Sequence, residues 1–163
     1  MIIDYPEIVF RLLSAVLIGG VIGLDRNLHG KPTGTKTLGL VALGSALVTM
    51  ASMDFALPQG GYNTDAVSRV IQGIITGIGF LGAGVIIHDK ITERVYGLTT
   101  AASIWVTAAL GIVCGMGLWQ IAGVSVAIVL LLFIVGRPLE KRLHQRWLNK
   151  TAEERATINK HEE

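Results

Sequence analysis

The chain has 163 residues, 51% of them apolar and only 16% charged, with 20 glycines, one cysteine and a formal net charge of +2. Soluble domains carry about 25% charged residues, so this composition, with a mean hydropathy of +0.56, excludes an ordinary water-covered globule and an unfolded chain. A lone Cys114 excludes an intramolecular disulfide framework, and an integral membrane protein is the class that remains.

The first apolar run of membrane length covers residues 8–24. Residues 1–10 hold no basic cluster and no small-x-small cleavage site follows, so this helix is expected to be retained rather than removed as a signal peptide. A polar loop with Asp25, Arg26, Lys31 and Lys36 leads to a second run, 37–53, and a third covers 68–87. Between Arg94 and Arg137 lie 42 residues without Asp, Glu, Lys or Arg, room for two crossings of about 20 residues each. Their turn is expected at 115–120, where glycines gather beside Trp119 and Gln120.

The expected fold is therefore all-α, a polytopic membrane bundle of five helices: a transmembrane domain over 1–136 and an amphipathic or disordered tail over 137–163. In the tail, Leu139, Leu143 and Trp147 recur at i, i+4 and i+8 among Lys141, Arg142, Gln145 and Arg146. That is the pattern of a helix lying on anionic lipid, and a helix docking on a partner has it too.

Five crossings put the termini on opposite sides, and the basic residues orient them. Twelve of the 14 Lys and Arg, those of the first and third loops and the tail, share one side; the other has Asp4, Glu7, Asp54 and Asp65. The expectation is an outer N-terminus and a cytoplasmic C-terminus. Arg11 and Arg69, near the outer ends of helices one and three, depart from the pattern. Each has an acid four residues earlier, Glu7 and Asp65, so an i,i+4 pair or snorkelling accounts for them. The other reading is that they face a polar interior and bind an anionic group.

Polar and small residues lie in stripes. Helix three carries Arg69, Gln72, Gly73, Thr76 and Gly77 on one face; helix four carries Thr100, Ser103, Thr107, Gly111 and Cys114; helix two has Ser45, Thr49 and Ser52. Such stripes either line a solute path or let backbones approach while the hydroxyls bond to the preceding turn. Gly19/Gly23, Gly73/Gly77 and Gly111/Gly115 each match the small-xxx-small motif of helix packing, within one chain or between two. Five helices with little mass outside the bilayer make a homodimer the expected assembly.

Gly77-Ile78-Gly79-Phe80-Leu81-Gly82 spells a dinucleotide fingerprint, but inside an apolar run of membrane length no strand and helix N-terminus can present it to a pyrophosphate. In Gly30-Lys31-Pro32-Thr33-Gly34-Thr35-Lys36-Thr37 no lysine directly follows the second glycine, and no strand precedes it, so a phosphate loop is rejected too. The histidines are scattered, which argues against zinc, and Cys114 has no base beside it, which argues against covalent catalysis. Basic tail residues alternate with Glu140, Glu153 and Glu154, so no nucleic-acid patch forms. The outer acids specify no metal; a weak Mg2+ interaction is the most their chemistry offers, and no cofactor is expected.

Three ordered blocks resemble the MgtC/SapB family of bacterial inner-membrane proteins. They are Gly23-Leu24-Asp25-Arg26 with Gly30-Lys31-Pro32-Thr33-Gly34-Thr35-Lys36-Thr37 and Leu40-Val41-Ala42-Leu43-Gly44; Arg69 with Gly77-Ile78-Gly79-Phe80-Leu81-Gly82-Ala83-Gly84-Val85-Ile86; and Gly97-Leu98-Thr99-Thr100-Ala101-Ala102-Ser103-Ile104-Trp105-Val106. The family pattern has Glu at Asp25 and Arg at Lys36, both preserving charge. Many members add an ACT-like domain, for which the residues after Gly136 are too few. The resemblance implies a role in growth under magnesium limitation, adaptation to the host interior (virulence) and control of membrane partners such as the ATP synthase. On this reading the protein is a non-enzymatic inner-membrane protein of stress adaptation. Asp25, Arg26 and the basic loop with Lys36 form its contact surface, and Arg69 with Thr100, Ser103 and Thr107 a polar interior point. The alternative is a small ion or solute channel lined by the same groups.

Overall fold

The computed structural model describes residues 4–53, 64–89 and 94–148. Its helices are α1 (Tyr5–Leu28), α2 (Thr35–Met53), α3 (Thr64–Gly84), α4 (Leu98–Met116) and α5 (Trp119–Leu148). All five are long and apolar enough to cross a membrane, α5 through its Trp119–Gly136 part. These are the five expected crossings. Helix α1 outruns the apolar segment at both ends: Pro6 starts it in the first turn, where its missing N–H costs nothing, and its last turn carries Asp25 and Arg26. The loop charges Asp54 and Lys90, and residues 149–163 of the expected tail, lie outside the described residues.

One element was not legible in the sequence. After α3, β1 (Ile87–Asp89) and β2 (Arg94–Tyr96) pair antiparallel, with Ile87 opposite Tyr96 and Asp89 opposite Arg94. The third helix therefore ends at Gly84 and not at residue 87. Gly97 joins the hairpin to α4 with φ +92°, and a Cβ there would collide with the Val85 carbonyl, so glycine is required on both counts.

Helix α2 packs on α1 and on α4, α1 and α4 meet each other, and α3 lies against α4 and α2. The packing is made by small residues: Ala15, Ala42, Ala46, Ala108 and Cys114 are fully buried. A Cβ on Gly19 would stand 2.5 Å from the Leu38 carbonyl oxygen, and one on Gly23 2.5 Å from the Thr35 Cα. One on Gly115 would stand 2.7 Å from the Ala46 carbonyl oxygen, and one on Gly111 would strike the Ala42 carbonyl. Two of the three glycine motifs thus bring backbones together within the chain. The third does not: nothing lies within 4 Å of a Cβ built on Gly73 or Gly77.

The chain divides into two compact units, Met1–Val126 and Ala127–Glu163. In the second, α5 continues unbroken through Pro138 to Leu148. The expected boundary at 136/137 is accordingly not a helix end. The side chains of Leu139, Leu143 and Trp147 lie outside the described residues.

Candidate functional site

The buried residues of α1 are Arg11, Ala15, Gly19, Ile22, Gly23 and Arg26, steps of three and four that keep to one face. Two arginines therefore sit on the packed side of the helix, 15 residues or about 22 Å apart along its axis. Both reach α4, at opposite ends of it, so α1 and α4 run antiparallel.

Arg26 is 3% exposed. Its Nη2 donates to Thr100 Oγ1 at 2.6 Å and to the Pro32 carbonyl at 2.9 Å, and its Nη1 to Ser103 Oγ at 3.0 Å. Its Nε bridges the Pro32 and Thr33 carbonyls, 3.2 Å each. A planar fork of five N–H donors suits this task because it reaches several oxygens in fixed directions. One side chain so ties the end of α1, the loop before α2 and the start of α4 together.

The loop is shaped to meet it. Gly30 has φ +62°, and Thr33, at φ +59°, is the one non-glycine with positive φ among the described residues. A β-branched residue in that region is strained, and the strain is held where its carbonyl meets Arg26. Asn27 Nδ2 donates to Thr35 Oγ1 at 3.1 Å, and Gly34 leaves the space that the Asn27 side chain fills. His29 Nδ1 donates to the Asp25 carbonyl at 2.6 Å and lies 3.7 Å from Asp25 Oδ1.

At the far end, Arg11 Nε donates to Glu7 Oε1 at 2.7 Å and Nη1 to the Gly115 carbonyl at 2.8 Å. Gly117, left-handed at φ +75°, caps α4, and a Cβ on it would be 2.7 Å from the guanidinium. Phe10 and Trp119 meet edge to face beside this contact, ring centroids 4.7 Å apart.

The expected residues are redistributed accordingly. Thr100, Ser103 and Thr107 are buried, and the cation that the first two receive is Arg26, not Arg69. Thr107 Oγ1 donates to the Ser103 carbonyl and Ser103 Oγ to that of Thr99, both 2.7 Å, so Thr107 stands a turn away from the guanidinium. Arg69 is exposed because it lies two residues from buried Val67, a rotation of about 200° around the helix. Arg26, expected on a contact surface, is interior; Asp25 is half-buried and Lys36 exposed. Lys36 lies at one end of an apolar groove of about 560 Å³ between α2 and α3, floored by Gly44, Gly73 and Gly77. The signal for Arg26 was available: it shares a helical face with Gly19 and Gly23. Among the described residues no group of three or more His, Cys, Asp or Glu is placed to hold a metal ion.

A model of the MgtC family matches residues 12–142. Protein SrpB of Synechococcus elongatus is 42% identical over 163 residues, covering 95% of this chain and 90% of that protein. Protein MgtC of Salmonella typhimurium is 35% identical over 95% of this chain and 65% of its own length. Protein SapB of Bacillus subtilis is 40% identical over 77% of this chain and 55% of its own. The chain thus spans less than two thirds of the latter two proteins. No solved structure matches.

Proposed function

From the premise that this chain belongs to the MgtC family, we propose that it is a non-enzymatic protein of the bacterial inner membrane, acting in magnesium limitation or stress adaptation by binding membrane partners. Its N-terminus is outside and its C-terminus cytoplasmic, it works as a homodimer, and it takes no cofactor. The α1–α2 loop with exposed Lys31, and exposed Lys36 in the first turn of α2, faces the cytoplasm as the contact surface, braced from beneath by Arg26. A large membrane machine such as the ATP synthase is the kind of partner that the family resemblance offers.

The close approach of α1, α2 and α4 carries this reading over a channel. Their glycines leave no room for a methyl group between the backbones. The hydroxyls of Thr49, Ser52 and Thr107 donate to carbonyls of their own helices, the local bonding that lets a polar residue sit in a tightly packed helix face.

Growth at limiting magnesium, with the purified protein assayed for flux in liposomes, tests the reading. Substitutions at Lys31 and Lys36 are expected to impair growth and to release a captured membrane partner, with no flux from the native protein. Magnesium, proton or anion flux that Arg26→Leu abolishes would establish transport instead. For the orientation, Thr64→Cys should label from outside the cell and Lys31→Cys only after the membrane is opened.

A further inference from the structure

Helix α3 leaves its polar face uncovered by α1, α2 and α4, with Gln72 at the edge of that face bordering a pocket of about 370 Å³ beside Met53, Val67 and Met116. Asp65, Arg69, Gln72, Thr76 and Phe80 follow one another at steps of three and four, and all are exposed; the residues that α3 buries, Val67, Ile78 and Gly82, are on the other side. Thr76 satisfies its hydroxyl by donating to the Gln72 carbonyl at 2.8 Å. The side chains of Asp65, Arg69 and Gln72 form no hydrogen bond or ion pair among the described residues, and Asp65 and Arg69 do not pair with each other although four apart.

In water such a face needs no explanation. In a helix that crosses a bilayer it does, because hydrocarbon supplies no hydrogen bonds. Gln72 stands eight residues into α3, about 12 Å from its start, too deep for a short amide to reach the interface. Polar side chains at depth face protein or water, and of the two only a protein surface can also supply charge partners for Asp65 and Arg69.

We propose that this face is covered by the α3 helix of a second copy of the chain, the two related by a twofold axis along the membrane normal. The proposal rests on the homodimer reading above and names its surface. Charge complementarity selects the occupant. Two parallel α3 helices crossing near Gly73 set each residue opposite its own copy, and an arginine is long enough to reach one turn along the seam, so each Asp65 pairs with the other copy's Arg69, twice by symmetry. The two Gln72 amides, each with donors and an acceptor, then bond across the axis. Gly73, with nothing within 4 Å of its missing side chain, permits the approach. A single surface carrying both members of an ion pair complements itself.

Disulfide trapping in native membranes tests this. Cys114, 0% exposed, gives the unmodified chain no means to cross-link. Oxidation is expected to join Gln72→Cys and Thr76→Cys into dimers, while Leu17→Cys and Leu47→Cys, on exposed faces of α1 and α2, stay monomeric. Arg69→Asp should lower the yield of the Gln72→Cys dimer at least tenfold, and adding Asp65→Arg should restore it. Cross-linking at Leu17 or Leu47 but not at Gln72 overturns the α3 surface and leaves the homodimer standing. Monomers at every position, with single photobleaching steps in liposomes, overturn both. A heavier adduct at Gln72, to a different protein, shows that another partner covers the face and overturns the second copy.

Discussion

Replacing Arg26 by leucine is expected to destabilise the bundle by about 2–4 kcal/mol. The guanidinium makes five N–H···O contacts with four oxygens. The Pro32 and Thr33 carbonyls belong to a loop with exposed neighbours, so water can replace the arginine there and little net cost follows. Thr100 and Ser103, 4% and 5% exposed, have no such recourse. Two hydrogen bonds from a charged donor are worth about 1.5–3 kcal/mol each, and relief of burying the charge returns part of that. Lysine keeps the charge but replaces a planar fork with a point, so Arg26→Lys should lose about half as much. Reversible unfolding in mixed detergent micelles measures the cost, and a double-mutant cycle with Thr100→Val isolates the pair. Destabilisation below about 0.5 kcal/mol, or a coupling indistinguishable from zero, would refute Arg26 as the tie between α1, the loop and α4. So would an unchanged rate of thiol labelling at Lys31→Cys in the Arg26→Leu background.

Two further outcomes follow from the same geometry. Gly111→Ala should cost about 1–3 kcal/mol by forcing α4 off the Ala42 carbonyl, whereas Gly73→Ala, which meets nothing in its own chain, should leave the unfolding of the monomer unchanged or gain up to about 1 kcal/mol of helix propensity; the same micelle titration compares them. Arg11→Leu should cost about 2–3 kcal/mol by leaving Glu7 and the Gly115 carbonyl without their donor, and Arg69→Leu less than about 0.5 kcal/mol in the monomer; equal losses would show that Arg11 is a snorkelling residue like any other.

The crossings were legible because the thickness of hydrocarbon demands about 20 apolar residues in a row, and five runs meet that demand wherever the helices pack. The hairpin at 87–96 was not, since two three-residue strands leave no periodicity to read. The stripes of α2 and α4 lie on the buried side. The stripe of α3 has the same spacing and faces out. A polar stripe states only that some polar or protein surface opposes it, not which helix supplies that surface. Arg26 was read as a loop charge because it follows the apolar run directly. Its neighbours three and seven residues back, Gly23 and Gly19, already marked the packed face.

Sequence by itself determined the class, the number and rough bounds of the crossings and which residues are small enough for close packing, all of them local consequences of solvent and spacing. Only the tertiary structure decided which helices meet. The same cation chemistry is available to Arg11, Arg26 and Arg69, and what separates them is the direction each side chain takes relative to α4. Fold-wide packing sets that direction: α1 is drawn onto α2 by its glycines, packs beside α4 and carries both of its arginines inward, while α3, held by Val67, Ile78 and Gly82, carries Arg69 out.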